Sequence, residues 1–275
     1  MSLFIAAINS GSNGNCYYVG NQQEAVLIDA GVSCRETEQR MLKLGLSIKK
    51  VKAIFISHEH TDHISGLVSL VKKYKIPVYI TEATFKNSNP KIDDNLLHHY
   101  AGAEPIKIGT LSILPFSKYH DAADPFSYVV EFAGIRVGVF TDIGKVCDRL
   151  VKHFKQCHAA FLESNYDETM LERGGYPLAL KNRIRNGNGH LSNKQAADLF
   201  TKHKPAHMSH LLLSHLSKNN NSPKIVRELF DSIAGNVKIV IASRNKETGV
   251  YHIRQQKTNV ALKTTDTKDV QLSLF

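Results

Sequence analysis

The stretch VKAIFISHEHTDHISG, residues 51–66, decides the fold of this chain. Val51 to Ser57 is apolar and rich in β-branched residues, the signature of a buried strand. From Ile64 onward, ISGLVSLVKKY spaces its apolar residues as a helix does. The cluster His58-Glu59-His60-Thr61-Asp62-His63 therefore sits on the turn between a strand and a helix. On extended backbone, residues two apart point the same way, so His58 and His60 face one point in space. Asp62 and His63 follow where the chain changes direction and present a second point beside the first. Imidazole nitrogens with a carboxylate oxygen suit zinc, manganese or iron. A solvated histidine-rich turn would not need this spacing. Histidines buried beside a core strand without a metal would leave ring nitrogens unsatisfied.

Working outward, short strands are expected first, at Phe4–Asn9, Cys16–Gly20 and Ala25–Ala30, then a helix over Ser33–Leu44 stopped by Gly45. A strand is expected at Pro77–Thr81. Phe85 to Asn95, polar and broken by a proline, reads as a loop or mobile flap. A second block of strands follows at Ile106–Ile108, Leu111–Tyr119, Ser127–Phe132 and Ile135–Thr141, with Gly134 in a hairpin turn. Helices at Asn193–His203 and Pro223–Ile233 interleave with strands at Met208–Leu213 and Val237–Ala242. Two successive groups of strands and helices imply two sheets packed face to face with helices outside, a four-layer αββα sandwich. This domain is expected over residues 1–255. Residues 256–275 form a polar, lysine- and threonine-rich tail that becomes apolar again at Gln271-Leu272-Ser273-Leu274-Phe275.

With 275 residues the chain can bury a full core. Its 35 basic and 25 acidic residues leave a net charge of +10. That excess fits a polyanionic partner, nucleic acid or an anionic membrane surface, and equally a basic surface kept for solubility. No stretch reaches the length of a membrane span, and MSLFIAAINS lacks the basic start and long apolar run of a signal peptide. Cys16, Cys34, Cys147 and Cys157 have no CxxC spacing and read as reduced cysteines of a cytoplasmic protein. Cys16 and Cys157 flank apolar runs and are expected to be buried.

Further candidate ligands each stand just past an expected strand: Asp29 after AVLI, His120 after LSILPFSKY, Asp142 after IRVGVFT and His215 at the close of HMSHLLLSH. Taken singly, an aspartate there caps a turn and a histidine is structural. Together with HxHxDH they describe a site along one sheet edge. On these residues the chain resembles the metallo-β-lactamase-fold hydrolases from about Leu3 to Gly249. SGSNGNCYYV, SHEHTDHISG, HDAADPFSY, FTDIG, ESNYD, GHLSN and LSHLSKNNN make it similar to the YycJ/WalJ-type bacterial proteins within that family. The family describes those as metal-dependent 5′→3′ exonucleases on double-stranded DNA. No long insertion matches the extra clamp domain of RNA-processing members.

The resemblance implies two adjacent divalent ions, manganese or zinc among relatives. His58, His60 and His120 would hold one, and Asp62, His63 and His215 the other. Asp142 would bridge them, and Asp29 would fix the ligand loop by hydrogen bonds. Such a pair activates water at neutral pH and polarises a phosphodiester oxygen. Asp62 is then both a ligand and a proton acceptor. His190, in the glycine-rich turn NGNGHLSN, is the candidate to neutralise the phosphate and assist the leaving group; the bland reading is a solvent-facing turn residue. Ser192 or Asn193 would cap the next helix, whose free N–H groups could bind phosphate.

Ser10, Ser12, Asn13 and Asn15 form a polar loop that either donates to substrate or is a plain turn. Lys181, Arg183 and Arg185 on a helix before His190 could track a DNA backbone or simply be solvated. His98, His99, His203, His207 and His210 are assigned to no metal. The terminal QLSLF, residues 271–275, matches the peptide by which bacterial replication and repair proteins dock on the β sliding clamp; the other reading is a tail end folded back on the body. The function expected is a DNA exonuclease in replication-coupled repair. The alternatives are an ester, thioester or lactone hydrolase on the same fold, and a non-catalytic adaptor.

Overall fold

The computed structural model describes residues 1–255; the expected tail, including the clamp-docking pentapeptide at 271–275, lies outside the described residues. Six strands come first: β1 (Leu3–Asn9), β2 (Cys16–Gly20), β3 (Ala25–Ile28), β4 (Val51–Phe55), β5 (Val78–Ile80) and β6 (Leu97–His99). Then follow β7 (Ile106–Ile108), β8 (Leu111–Ser117), β9 (Phe126–Phe132), β10 (Ile135–Phe140), β11 (Ala159–Glu163), β12 (His210–Ser214) and β13 (Lys238–Ile241). The last strand, β14 (Tyr251–Ile253), returns to the first sheet beside β1. Two seven-stranded sheets result, ordered β14-β1-β2-β3-β4-β5-β6 and β13-β12-β11-β10-β9-β8-β7.

Helices cover the outer faces: α1 (Cys34–Lys43), α2 (Thr61–Ile64), α3 (Leu67–Tyr74) and α4 (Glu82–Ser88) along the first half, and α5 (Asp148–Phe154), α6 (Glu168–Arg173), α7 (Leu178–Arg185), α8 (Asn193–His203) and α9 (Pro223–Asp231) along the second. The expected αββα sandwich is the observed one. Alternation along the strands explains it. In β11, Ala159 and Phe161 point into the core between the sheets, whereas Ala160 and Leu162 pack outward beneath Phe154, Phe200 and Phe230. In β4, Ala53 and Phe55 join the central core, while Ile54 packs outward with Met41, Leu67, Leu70 and Val71. Strands buried on both faces must read as continuous apolar runs, as Ala53–Phe55 in β4 and Ala159–Leu162 in β11 do. Cys16 and Cys157 are fully buried, as expected.

Several boundaries differ from expectation. The loop or flap expected over Phe85–Asn95 is helical through Ser88. Thr81 caps α4 by accepting from Thr84 N (3.3 Å), Phe85 packs beneath it, and the helix ends where Asn89 turns left-handed before Pro90. A cap and one anchored aromatic outweigh weak helix formers there. The short strand β6, not expected, adds in parallel to β5. The helix after the histidine cluster is broken in two at Gly66, whose N–H donates to Ala30 O (2.9 Å).

What matters for function is polarity. β3 and β4 run parallel, as do β10, β11, β12 and β13, so their carboxyl ends open on one rim of the sandwich. Ligands in open α/β sheets bind at such ends.

Candidate metal centre

Every expected ligand arrives at that rim. His58 and His60 follow β4, Asp62 and His63 lie on α2, His120 follows β8, Asp142 follows β10 and His215 follows β12. Donor atoms from His58, His60 and His120 lie within 4.8 Å of one another, as do those of Asp62, His63 and His215, and those of His58, His63 and Asp142. Asp142 thus stands beside both groups. His98, His99, His203, His207 and His210 belong to none of these clusters.

The loop carrying the motif is locked by backbone bonds. Asp62 O accepts from Asn15 N (2.7 Å), and His63 O accepts from Ala30 N (2.8 Å). Gly31 permits this approach: a Cβ there would sit 1.7 Å from Asp62 O. Asp29, Asp142 and His215 hold left-handed backbone, with φ of 63°, 53° and 56°. That conformation costs a non-glycine residue energy, and strain of this kind gathers at functional sites. Here it turns three polar side chains back over the rim as their strands end.

Fixed partners aim the imidazoles. Asp29 is fully buried. It accepts from Ser57 N (2.8 Å), Ser57 Oγ (2.9 Å) and His63 Nδ1 (2.7 Å). His120 Nδ1 donates to Gly189 O (3.0 Å), and His58 Nδ1 pairs with Ser57 Oγ (2.8 Å). In each case the second ring nitrogen is left for the centre.

The residues fit a metal on two grounds. His58 Nε2 is buried without a hydrogen-bond partner, a cost unless something else occupies its lone pair. Donor spacing is also right. Around a tetrahedral ion with ligands at about 2.0–2.2 Å, neighbouring donors lie about 3.3–3.6 Å apart. His63 Nε2 is 3.4 Å from Asp62 Oδ2 and 3.2 Å from Asp142 Oδ2. His215 Nε2 is 3.4 Å from Asp62 Oδ2, and His120 Nε2 is 3.3 Å from His60 Nδ1. The fold and this donor set imply divalent metal ions.

Electrostatics divide the site. Burial drives His58 down strongly and takes His120 to about 3, so both rings are neutral. Burial also opposes charge on His63 and His215, but the Asp142 carboxylate outweighs it, with help from Asp62. His63 rises well above its usual value and His215 is pushed up to about 10. Without metal, protons on these two rings neutralise Asp62 and Asp142, as a cation would.

Two residues not singled out in the sequence complete the centre. Glu163 is fully buried and, despite burial, is held at about 2, chiefly by the neighbouring His190. Its oxygens accept from Ile143 N (2.7 Å), Leu191 N (3.1 Å), His190 Nδ1 (2.7 Å) and His215 Nδ1 (3.1 Å). It is the last residue of β11, so the strand-end argument that found Asp142 and His215 applies to it equally. Asn165 Nδ2 lies 3.2 Å from His215 Nδ1 and donates to His215 O (2.8 Å). His190 is half-buried with its ring 5.2 Å from that of His215 and 5.4 Å from that of His120, so it belongs to the site. It lines a cleft of about 180 Å³ with Ser12, Asp121, Tyr176, Arg183 and His215.

Other expectations need correction. Asn15 does not face substrate: it is fully buried, and its Nδ2 lies 3.0 Å from Asp62 Oδ2 and 3.1 Å from His63 Nε2. Ser10 is likewise buried and accepts from His215 N (2.8 Å). The Ser10–Asn15 loop is thus a brace for the centre, and only Ser12 reaches the cleft. The helix start at α8 offers few free N–H groups. Ser192 and Gln195 form a capping box, Leu191 N donates to Glu163 and Asn193 N to Tyr166 O. The basic row on α7 is also committed: Arg183 pairs with Asp121, Arg185 with Glu172, and Lys181 donates to Glu172 O. Of these three, only Arg183 borders the cleft.

Paired imidazole–carboxylate clusters at the rim of an αββα sandwich are the hallmark of one class of hydrolase. This chain belongs to it: residues 24–215 match the β-lactamase superfamily domain. Within that class it is 34% identical over 239 residues to exodeoxyribonuclease YycJ of Bacillus anthracis, covering 82% of this chain and 87% of that protein. It is 32% identical over 217 residues to exodeoxyribonuclease WalJ of Streptococcus pneumoniae, covering 77% and 81%. The fold is shared with the metallo-β-lactamase fold protein YhfI of Bacillus subtilis, at a TM-score of 0.71 and 15% identity over 91% of this chain and 99% of that one. Among the described residues no helix is long and apolar enough to cross a membrane.

Proposed function

We propose that this chain is a dinuclear-metal phosphodiesterase, a 5′→3′ exonuclease on double-stranded DNA that works in the cytoplasm in replication-coupled repair. The observation that carries the reading is the convergence of the His58/His60/His120 and Asp62/His63/His215 clusters on Asp142, with His190 facing the same cleft on a buried carboxylate. Relatives named as exodeoxyribonucleases point to the polymer, and the charge of +10 suits a polyanion.

In this reading His58, His60 and His120 would hold one ion and Asp62, His63 and His215 the other, with Asp142 serving both. Manganese and zinc both suit the donors, and iron is the third choice. The bound ions would supply the charge that acidifies water and neutralises a phosphodiester. The remaining work falls to side chains. Asp62 keeps Oδ2 against Asn15, His63 and His215, and its Oδ1 receives the proton of the attacking water. Glu163 fixes His190 through Nδ1; in the doubly protonated ring Nε2 would carry the proton given to the departing oxygen, the charge being balanced by Glu163. Ser12 and Arg183, at the cleft wall, border the strand being cut. Docking of Gln271–Phe275 on the sliding clamp would keep the domain near DNA.

The test is hydrolysis of end-labelled duplex DNA by protein reconstituted with manganese or with zinc. Release of the 5′ label as mononucleotide is expected, with loss of activity in a folded Asp62→Ala variant. Inert duplex alongside turnover of thioesters refutes the reading. Deleting residues 271–275 should abolish clamp capture in a pull-down while naked DNA is still degraded. Equal capture by the truncated chain refutes the docking assignment.

A further inference from the structure

Four residues at the rim remain unexplained by the metal centre. Tyr119 is 38% exposed and Val146 36% exposed, two of the few large apolar side chains that face solvent among the described residues. Tyr119 directly precedes His120, and Val146 lies four residues past Asp142. The Lys145 ammonium stands 3.9 Å from the centre of the Tyr119 ring, and the Arg149 guanidinium stands 5.8 Å from it. Neither cation makes an ion pair among the described residues, in contrast to Arg183 and Arg185.

The segment is firmly placed. Gly144 N donates to Tyr119 O (2.6 Å). Gly144 also packs so closely on the loop leading to His190 that a Cβ would sit 2.4 Å from Gly187 O. One short segment therefore joins the Asp142 loop, the His120 loop and the His190 loop, and presents an aromatic ring with two cations that make no ion pair among the described residues.

An exposed cation–π contact is worth only about 0.5–1 kcal/mol to the fold, whereas a nucleic-acid strand uses both the ring and the cations. Bases stack on aromatic faces without regard to sequence, and cations track the phosphates between them. Among the described residues no carboxylate holds the ammonium on the ring, so it can pass to a phosphate and uncover the ring face. We propose that Tyr119, Lys145 and Arg149 form a nucleotide subsite. In it, the unpaired terminal base of the substrate strand stacks on Tyr119, and the adjoining phosphates lie against Lys145 and Arg149. The inference rests on the nuclease reading above and assigns its strand-end contacts to this rim rather than to α7.

Fluorescence anisotropy with the manganese-loaded full chain tests it, using a fluorescein-labelled DNA duplex with a short single-stranded 5′ end whose linkages are phosphorothioates, so that cutting is suppressed. Tyr119→Ala should weaken binding about tenfold, within the range for losing one stacked base. Tyr119→Phe, which keeps the ring, should bind as wild type does. Lys145→Ala should weaken binding and lower the salt slope by about one phosphate contact. Wild-type affinity in Tyr119→Ala, or an equal loss in Tyr119→Phe, overturns the subsite while the nuclease reading stands. Wild-type protein that ignores the probe refutes both.

Discussion

The substitution Asp29→Asn isolates what one buried carboxylate does for the metal centre. The carboxylate only accepts, so the proton it shares with His63 must sit on Nδ1; Nε2, 3.2 Å from Asp142 and 3.4 Å from Asp62, is then the nitrogen that would give up its proton to bind a metal. Asparagine is nearly isosteric. Its oxygen can still accept from Ser57 N, as Asp29 Oδ1 does at 2.8 Å, which places its amide NH₂ against His63 Nδ1. A donor now meets a donor. His63 must then move its proton to Nε2, where it points at the metal position. Loss of such an orienting partner costs about 10–100-fold in metal affinity, equivalent to roughly 1.4–2.7 kcal/mol. The loss should be greatest at the Asp62/His63/His215 position; His58 feels it indirectly, because the Ser57 hydroxyl that orients it also donates to Asp29, whereas His120 is oriented by Gly189. Isothermal titration with zinc on metal-stripped protein should show two sites of similar strength in the wild type. In the variant, one site should be weakened clearly more than the other. Two unaltered sites, or equal weakening of both, would refute the reasoning.

Three further outcomes are expected. His190→Ala should lower kcat on duplex DNA by about 10²–10⁴ while metal content, read by mass spectrometry, stays at the wild-type value; unchanged kcat removes His190 from the reaction. In metal-free protein His215 is raised from 6.5 to about 10, so its contribution is complete below about pH 6.5 and is lost as pH climbs through about 10. The urea midpoint of metal-free protein should therefore fall between pH 7 and 10 by the equivalent of a few kcal/mol, and a flat profile would contradict the charge assignment. Gly31→Ala puts a methyl 1.7 Å from Asp62 O, so the motif loop must shift. A loss of about 1–3 kcal/mol, or several degrees in Tm, should accompany weaker metal binding, and a fully wild-type variant would show the approach to be loose.

Much of this site is readable in the chain alone because its chemistry is tied to regular elements. HxHxDH sits where a fully apolar strand becomes a helix, and Asp29, Asp142 and His215 each close such a strand. Parallel strands bring their ends to one rim, so local patterning carries the ligand set with it. Glu163 obeyed the same rule but stood in AAFLESN without a second metal-type residue to draw attention. Phe85 to Ser88 became helix because Thr81 caps it and Phe85 finds an apolar seat, neither of which its polar composition announces.

The sequence by itself determined the layers, the rim and the imidazole–carboxylate inventory, since period-two burial and strand-end polarity are properties of neighbouring residues. Only the tertiary structure decided which groups meet across long separations. It set Asn15 against Asp62 rather than in the cleft, spent Arg183 on Asp121, and left Lys145 and Arg149 beside Tyr119. The physical reason is that a side chain's role depends on its partner, and partners here come from loops whose course is fixed by packing, not by local propensity.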